Sequence, residues 1–452
     1  MRRNSIQQVL LEGIPANAAL CVAFSGGRDS TVLLHALALL RQQWPIVLRA
    51  LHVNHGLQPA AQDWEEHCAA LATRLDVPHS AVRVTVRTDG GQGLEAAARE
   101  ARYGALRSEL RPGEWLLTAH HADDQLETVL LHLFRGSGVA GLAGIPRNTP
   151  FGPGRLFRPL LDVPSSVLVE YGASVLLPQD LVWLTDPMNA DCAYDRSFLR
   201  HEVAPVLHRR FPAAAGAASR SAALAAEASD LLDELARTDS QAVRTDHRLL
   251  LAPLRRLSPA RQRNLIRFQA RERGWALPPE RRLREGVAQL LEAAPGRQPV
   301  LRWSGHEIRR FRSHLHLLDT AAPGDIPSET ALELGESRPL VLGGPRGVLR
   351  LHRGSGAGGA AALAPGVVAD GLHVAFRSGG ERVRAGTDRH HRTLKYLFQS
   401  QGIVPWMRCH LPLVFARGEL AAVADLWLAD WATAQPSESG FQIHWSGHAP
   451  IR

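Results

Sequence analysis

Residues 22–37 read VAFSGGRDSTVLLHAL, an apolar run that stops at Ser-Gly-Gly-Arg-Asp-Ser and resumes with helical spacing. A strand that passes through twin glycines straight into a helix commits the chain to a parallel-sheet architecture, because the helix carries the backbone across the sheet before the next strand begins. The break also aims the unpaired N–H groups of the first helical turn, and the positive end of the helix dipole, at whatever sits in the turn. An anion is the natural occupant. The alternation continues to about residue 120. CVAF, IVLRALHVNHG, VRVTV and EWLLTAHH read as strands, and STVLLHALALLRQQW, DWEEHCAALATRLD and LEAAAREARYGALRSEL as helices. The expected fold is α/β, a parallel sheet covered by helices, with ligands at the carboxyl ends of the strands.

At 452 residues the chain is too long for one core, and about two to four domains are expected. No apolar run reaches the roughly 18 residues that a membrane-spanning helix needs. The N-terminal segment lacks the pattern of an export signal, so the expected location is the cytoplasm. Cys21, Cys68, Cys192 and Cys409 are widely spaced, without the C-x-x-C pair that marks zinc, iron–sulfur or dithiol sites, and read as small buried apolar residues. A formal charge of +8 and a pI near 10.1 favour a polyanionic partner such as nucleic acid.

From Ala213 the texture changes. Residues 213–320 are Ala- and Arg-rich with helical spacing and read as a mostly helical domain, in which Arg263, Arg267 and Arg271 form a ridge that suits phosphates or simply solvent. Residues 353–366, RGSGAGGAAALAPG, read as a linker or long loop. Beyond them the pattern is that of a small α+β domain.

The glycine turn is not a Walker A loop, which requires a lysine; the single lysine of the chain is Lys395. RGSGVAGLAG, residues 135–144, matches G-x-G-x-x-G through Gly136, Gly138 and Gly141, but it follows a helical pattern rather than a strand and reads as a helix-ending loop. In the turn itself Gly26 and Gly27 permit close backbone approach, and Ser25, Ser30 and Thr31 offer hydroxyls. Asp29 is repelled by phosphate unless a cation lies between them, which implies Mg2+. A second constellation, TAHHADDQLET (residues 118–128), brings Asp123, Asp124 and Glu127 to one helix face beside two histidines. Helix capping accounts for one or two of these acids, not for the cluster. A metal and amine site accounts for all of them.

The SGGRDS turn resembles the PP-loop of the N-type ATP pyrophosphatases. SGGRDSTVLLH, ALHVNHGL, GLEAAAREARYGAL, TAHHADDQLETVLLHLFRGSGVAGL, RPLLDV and LTDPMNADCAYDRSFLR follow one another in the order of bacterial tRNA(Ile)-lysidine synthetase. GLHVAFRSGGERVRAGTDRHHRTLKYLFQSQGIVPWMRCHLPLVF is similar to the C-terminal domain of that family. The resemblance implies a PP-loop catalytic domain over 1–212, a helical tRNA-binding domain over 213–320 and an α+β domain over 340–440. It implies ATP and Mg2+ as cofactors, and free L-lysine and tRNA(Ile) with a CAU anticodon as partners; the family also tends to form a homodimer. The implied chemistry is attack of the cytidine C2 oxygen on the α-phosphate of ATP, followed by attack of the lysine ε-amine on C2 with loss of AMP.

Carried onto this sequence, Ser25, Gly26, Gly27, Arg28, Asp29, Ser30, Thr31, His55, Gly56 and Gly136 are expected at the nucleotide, Asp29 and Asp124 at the metal, Asp124 and Glu127 at the lysine ammonium, and Arg102 and Arg200 at phosphate. Arg377, Arg382, Arg384, Arg389, Arg392 and Lys395, with Tyr396 and Trp406 interleaved, suit an RNA-facing surface. Two departures stand out: Arg196-Ser197 replaces the family's Arg-Asn pair, and Tyr171 to Asp180 differs from its helix-like pattern. The competing readings are a PP-loop tRNA thiolase, a glutamine-dependent ligase and a non-catalytic RNA-binding protein with a vestigial nucleotide site.

Overall fold

Helix α1 (Arg3–Gly13) leads into β1 (Ala19–Ala23), and from there α2 (Arg28–Leu40), β2 (Val47–Asn54), α3 (Ala61–Arg74), β3 (His79–Arg83), α4 (Leu94–Glu109) and β4 (Trp115–Leu117) alternate as the sequence pattern expects. The computed structural model describes residues 3–56, 60–86, 94–185, 192–294, 296–320, 332–334, 338–355, 362–384, 390–435 and 438–452. Its backbone forms two compact units, Met1–Leu235 and Ala236–Arg452.

In the first unit α5 (Ala122–Phe134) and the short α6 (Val139–Leu142) precede a hairpin of β5 (Asn148–Phe151) and β6 (Gly154–Phe157). The sheet order is β3-β2-β1-β4-β6-β5, parallel except for the β5 edge. Alternate residues of β1 serve opposite faces: Leu20 and Val22 join one core with α1 and α2, while Cys21 joins another with Leu106, Leu110 and Phe151. Helix α2 is buried over most of its surface, which explains its nearly unbroken apolar run. Chain order runs one way from β1 to β3 and the other way from β1 to β4. The crevice therefore opens between the carboxyl ends of β1 and β4, where the two constellations lie.

The β3 strand lies at His79–Arg83 rather than over VRVTV. Its register is set by β2, which pairs Ala50 with His79 and Asn54 with Arg83, and the Val84 N–H makes the last bond, to Asn54 O. The 135–144 segment ends α5 as expected, with Gly136 at φ +67° in the left-handed position that follows a helix. Tyr171 to Asp180 stays helical but changes pitch. Helix α7 (Ser165–Tyr171) continues as a π turn (Gly172–Leu176) and a 3-10 turn (Leu177–Gln179). Helix α8 (Asp195–Phe198), a second π turn (Leu199–Val203), α9 (Ala204–Arg210) and α10 (Ala214–Val243) complete the helices that begin in this unit.

The second unit adds a sheet to the helices expected over 213–320. β7 (Arg244–Thr245) and β8 (Arg248–Leu250) precede α11 (Leu251–Arg256), α12 (Pro259–Glu272) and α13 (Glu280–Glu292). Then β9 (Val300–Trp303), β10 (His306–Phe311) and β11 (His314–Asp319) complete a five-stranded antiparallel sheet, β7-β8-β11-β10-β9. Glu307, Arg310 and His316 are buried on these strands and mask the alternation that would announce them. Glu280 pairs with both Arg263 and Arg267, so the basic ridge on α12 is partly neutralised.

The remainder is a small α+β assembly of strands β12 (Leu332–Leu334), β13 (Leu340–Val341), β14 (Val348–Ser355), β15 (Leu372–Ala375), β16 (Arg382–Val383), β17 (Arg392–Thr393), β18 (Leu413–Ala416), β19 (Glu419–Val423), β20 (Trp427–Leu428) and β21 (Ser439–Ser446) with helices α14 (Pro365–Ala369) and α15 (Leu394–Ser400). Its sheets are β12-β15-β18-β19-β20, β13-β14-β21 and β16-β17, and β14 takes up the start of the expected linker. Residues 356–361, like Arg389, lie outside the described residues. Trp406 is half-buried and packs edge-on against Phe311 and His316.

Candidate active site

The turn after β1 is shaped by two glycines with different duties. Gly26 has φ +77°, and a Cβ there would stand 2.8 Å from Cys68 Sγ and 3.0 Å from Leu184 Cδ1. Gly27 is the N-cap of α2, and no side chain caps it. The residues around it close the turn on itself: Ser30 Oγ donates to Gly27 O at 2.9 Å, Thr31 Oγ1 donates to the same oxygen at 3.0 Å, and Ser25 and Ser30 hydroxyls meet at 3.1 Å. A distant segment also ties down the turn, since the Leu184 N–H bonds Gly26 O at 2.8 Å and Leu184 bridges Gly27 in parallel.

Helix α5 brings the acids of the second constellation to the same crevice. Asp124 Oδ2 accepts from the His121 N–H at 2.9 Å, capping the helix, while Asp123 is held by the Ser165 N–H at 2.8 Å and His208 Nε2 at 2.7 Å. His121 Nε2 lies 3.6 Å from both Asp29 Oδ2 and Asp124 Oδ2, and its Nδ1 lies 3.8 Å from Asp123 Oδ2. Burial pulls the His121 pKa down, but the three aspartates outweigh it and hold it above the usual histidine value. Burial likewise opposes ionisation of Asp29, yet His121 and Arg28 keep its carboxyl below the usual range. Asp124 is lowered against burial by His121 and Arg200 and by the His121 N–H bond. His120 goes the other way, pushed down to about 3 by burial.

Beside these groups lies a cleft of about 610 Å³, which Asp29, His120, Asp124 and Arg200 line directly. Ser25, Gly27, Arg28, Asp29 and Ser30 form one wall, His55 and Trp64 stand by the β2 end, and Arg102, Asp124, Arg196 and Arg200 face them. Trp183 and Leu184 complete the lining. Arg102 stands with Arg99 against the Tyr103 ring, at 5.4 and 4.8 Å from its centroid. Two carboxylate oxygens, from Asp29 and Asp124, thus converge within 3.6 Å of His121 Nε2 at the edge of a cleft headed by a helix N-terminus. That donor set fits Mg2+, which takes one or two carboxylates and completes its shell with phosphate and water.

Residues 2–207 match the PP-loop domain, residues 249–316 the TilS substrate binding domain and residues 372–445 the TilS substrate C-terminal domain. The tRNA(Ile)-lysidine synthase of Alkalilimnicola ehrlichii is 46% identical over 431 residues, covering 95% of this chain and 94% of that protein. The chain belongs to the tRNA(Ile)-lysidine synthase family. The synthases of Methylococcus capsulatus (40% identical, 96% of this chain, 98% of that protein) and Coxiella burnetii (38%, 95% and 94%) are similar along the same length. A solved U34-tRNA thiolase, NcsA of Methanococcus maripaludis, is 17% identical with a TM-score of 0.42 over 49% of this chain and 76% of that one, too distant a likeness to bear on function.

Set against the residues expected from this lysidine synthase family, Ser25, Gly27, Arg28, Asp29, Ser30, His55, Arg102, Asp124 and Arg200 line the cleft. Gly26 and Thr31 shape the turn from beneath it. Gly56, at φ +63°, donates its N–H to Asn54 Oδ1 and ends β2, and Gly136 terminates α5; neither lines the cleft. Glu127 is 2% exposed and faces Arg196 and Arg200 instead of the cleft. Sequence reasoning missed the central place of His121 and the Trp183–Leu184 wall. The paired histidines before the acids signalled the first, and the LTDPMNADCAYDRSFLR motif, which opens at Leu184, signalled part of the second.

Proposed function

We propose that this chain ligates free lysine to C2 of the cytidine at the first anticodon position of tRNA(Ile), through an adenylated base formed from ATP with release of pyrophosphate and then AMP. The observation that carries the reading is the pairing of a PP-loop with an acid-bearing helix across one switch point, in a chain that matches lysidine synthases along nearly its whole length. The N-terminus of α2 receives the ATP phosphates on backbone N–H groups. Asp29 and Asp124 would hold Mg2+, which when bound would supply positive charge for the departing pyrophosphate. Arg102 and Arg200 donate to phosphate oxygens. Asp124, the ionised carboxylate of α5 that faces the cleft, accepts hydrogen bonds from the lysine ammonium.

Within this proposal residues 1–212, 213–320 and 340–440 act as catalytic, tRNA-binding and C-terminal domains of a cytoplasmic homodimer. Cys192 and Cys409 are exposed, against the buried places expected of all four cysteines, but they belong to different units. Burial pushes the Cys21 and Cys68 thiols up to about 12, so little supports the thiolase reading. The deciding experiment incubates the purified chain with radiolabelled lysine, Mg2+-ATP and unmodified tRNA(Ile) transcript. Label is expected in the RNA. Binding of the transcript without label refutes the proposal.

A further inference from the structure

The two arginines at the mouth of the cleft are gripped from behind. Arg196 stands on α8 and Arg200 on the π turn after it, a geometry found often at functional sites. Glu127 Oε1 accepts from Arg200 Nε at 2.7 Å, and its Oε2 accepts from Arg200 Nη2 at 2.9 Å and Arg196 Nε at 3.2 Å. Arg196 Nη2 donates to Thr128 Oγ1 at 3.0 Å, and that hydroxyl donates to Asp124 O at 2.7 Å. Arg200 Nη2 also donates to Asp124 Oδ1 at 3.0 Å, so one turn of α5 fixes both guanidinium planes, with Glu127 the acceptor common to the two.

A carboxylate offers about four acceptor positions, and three of those on Glu127 are taken by arginine. Only 2% of the residue is exposed. A lysine ammonium reaching it would have to displace a guanidinium and strand that cation beside the cleft. The reverse arrangement has no such cost: Glu127 stays buried and its charge sets the direction of two forks that do face the cleft.

We propose that Glu127 is a positioning residue for the first half-reaction: it holds Arg196 and Arg200 toward the α-phosphate of ATP and does not bind lysine. The inference rests on the function proposed above. In that step the cytidine O2–Pα bond forms as the Pα–O bond to the β-phosphate breaks. The electron pair leaves with pyrophosphate and the base takes up a positive charge. Negative charge shifts among the phosphate oxygens, where two fixed guanidiniums are most effective.

The test is single-turnover pyrophosphate release from ATP and tRNA(Ile) transcript without lysine, set beside the KM for lysine in the full reaction. Glu127→Gln is expected to slow pyrophosphate release on the order of 100-fold, the effect of a misplacement near 1 Å. The KM for lysine is expected to stay within about twofold. Free guanidinium ion is expected to restore pyrophosphate release in Arg200→Ala but not in Arg200→Ala combined with Glu127→Gln, because the ion needs the carboxylate to dock.

Release at the wild-type rate overturns the proposal, as does a KM for lysine raised more than about tenfold, or equal rescue of the single and double variants. If Glu127→Gln does not fold, Thr128→Val removes an acceptor from Arg196, together with the hydroxyl bond to Asp124 O, and leaves Arg200 on Glu127. It is expected to slow the same step severalfold with the lysine KM unmoved, and an unchanged rate counts against the proposal. A wild-type chain that releases pyrophosphate but never incorporates lysine refutes the parent function instead.

Discussion

Gly26→Ala tests the physical basis of the nucleotide turn. The substitution places a Cβ on a residue at φ +77°, which costs an L-residue about 1–2 kcal/mol. Reduced freedom of the unfolded chain returns about 0.4–1 kcal/mol. The new methyl also lands 2.8 Å from Cys68 Sγ and 3.0 Å from Leu184 Cδ1, an overpacking that costs about 1–3 kcal/mol. The net expectation is a loss of about 1–5 kcal/mol, large beside a typical domain stability of about 5–15 kcal/mol.

Urea unfolding of the full chain with and without ATP provides the assay, because the transition that ATP shifts belongs to the unit that binds it. ATP affinity, measured by calorimetry, should fall in parallel as the turn is pushed out of shape. Adding Cys68→Ala separates the two causes. It removes the sulfur that the methyl meets but leaves the backbone angle, so the double variant should be about 1 kcal/mol more stable than the two single losses predict. Strict additivity would sink the packing half of the reasoning, and a Gly26→Ala chain within about 0.5 kcal/mol of wild type would sink both halves.

Asp29→Ala should abolish lysine incorporation and weaken Mg2+-dependent ATP binding while leaving tRNA binding largely intact; retained incorporation would remove the metal role. Arg49→Ala should destabilise the first unit by about 3–5 kcal/mol in denaturant titration, since it strands Glu114, which is 3% exposed and held bidentately at 2.7 and 2.6 Å. The same pair predicts a pH effect. Burial acts to raise the Glu114 pKa, but Arg49 and the Arg111 N–H hold it below the usual glutamate value. Its contribution is therefore complete above about pH 4.3 and fades as pH falls through the lowered folded value. Without Arg49 the acid-unfolding midpoint, followed by circular dichroism, should move to higher pH. Gly154→Ala would drive a Cβ into the Glu114 carbonyl oxygen, a backbone atom that cannot step aside, so thermal melting should show a loss of roughly 3 kcal/mol.

The strand, glycine turn and helix at residues 22–37 were legible because every signal there is local: an apolar run, a glycine that needs positive φ, and helical spacing afterwards. The carboxylates of TAHHADDQLET were legible as a cluster for the same reason. Their partners were not. Arg196 and Arg200 reach Glu127 across some 70 residues, and no periodicity encodes that meeting. The sheet of β7 to β11 escaped notice because buried charges, such as Glu307 held by Arg302 and Arg309, occupy positions where alternation demands apolar side chains. The position of β3 depended on its neighbour, since an edge strand takes its register from the strand it joins.

The bond from Leu184 to Gly26 also bears on how the protein is made. The ribosome delivers the glycine turn early and its tether about 160 residues later, which at ordinary bacterial elongation speed is a delay of about 8–30 s. During that interval the nascent polypeptide carries a half-built ATP cradle, open on the side that Trp183 and Leu184 will close. The Trp183–Leu184 wall of the cleft therefore joins the turn only after more than a third of the chain has been made.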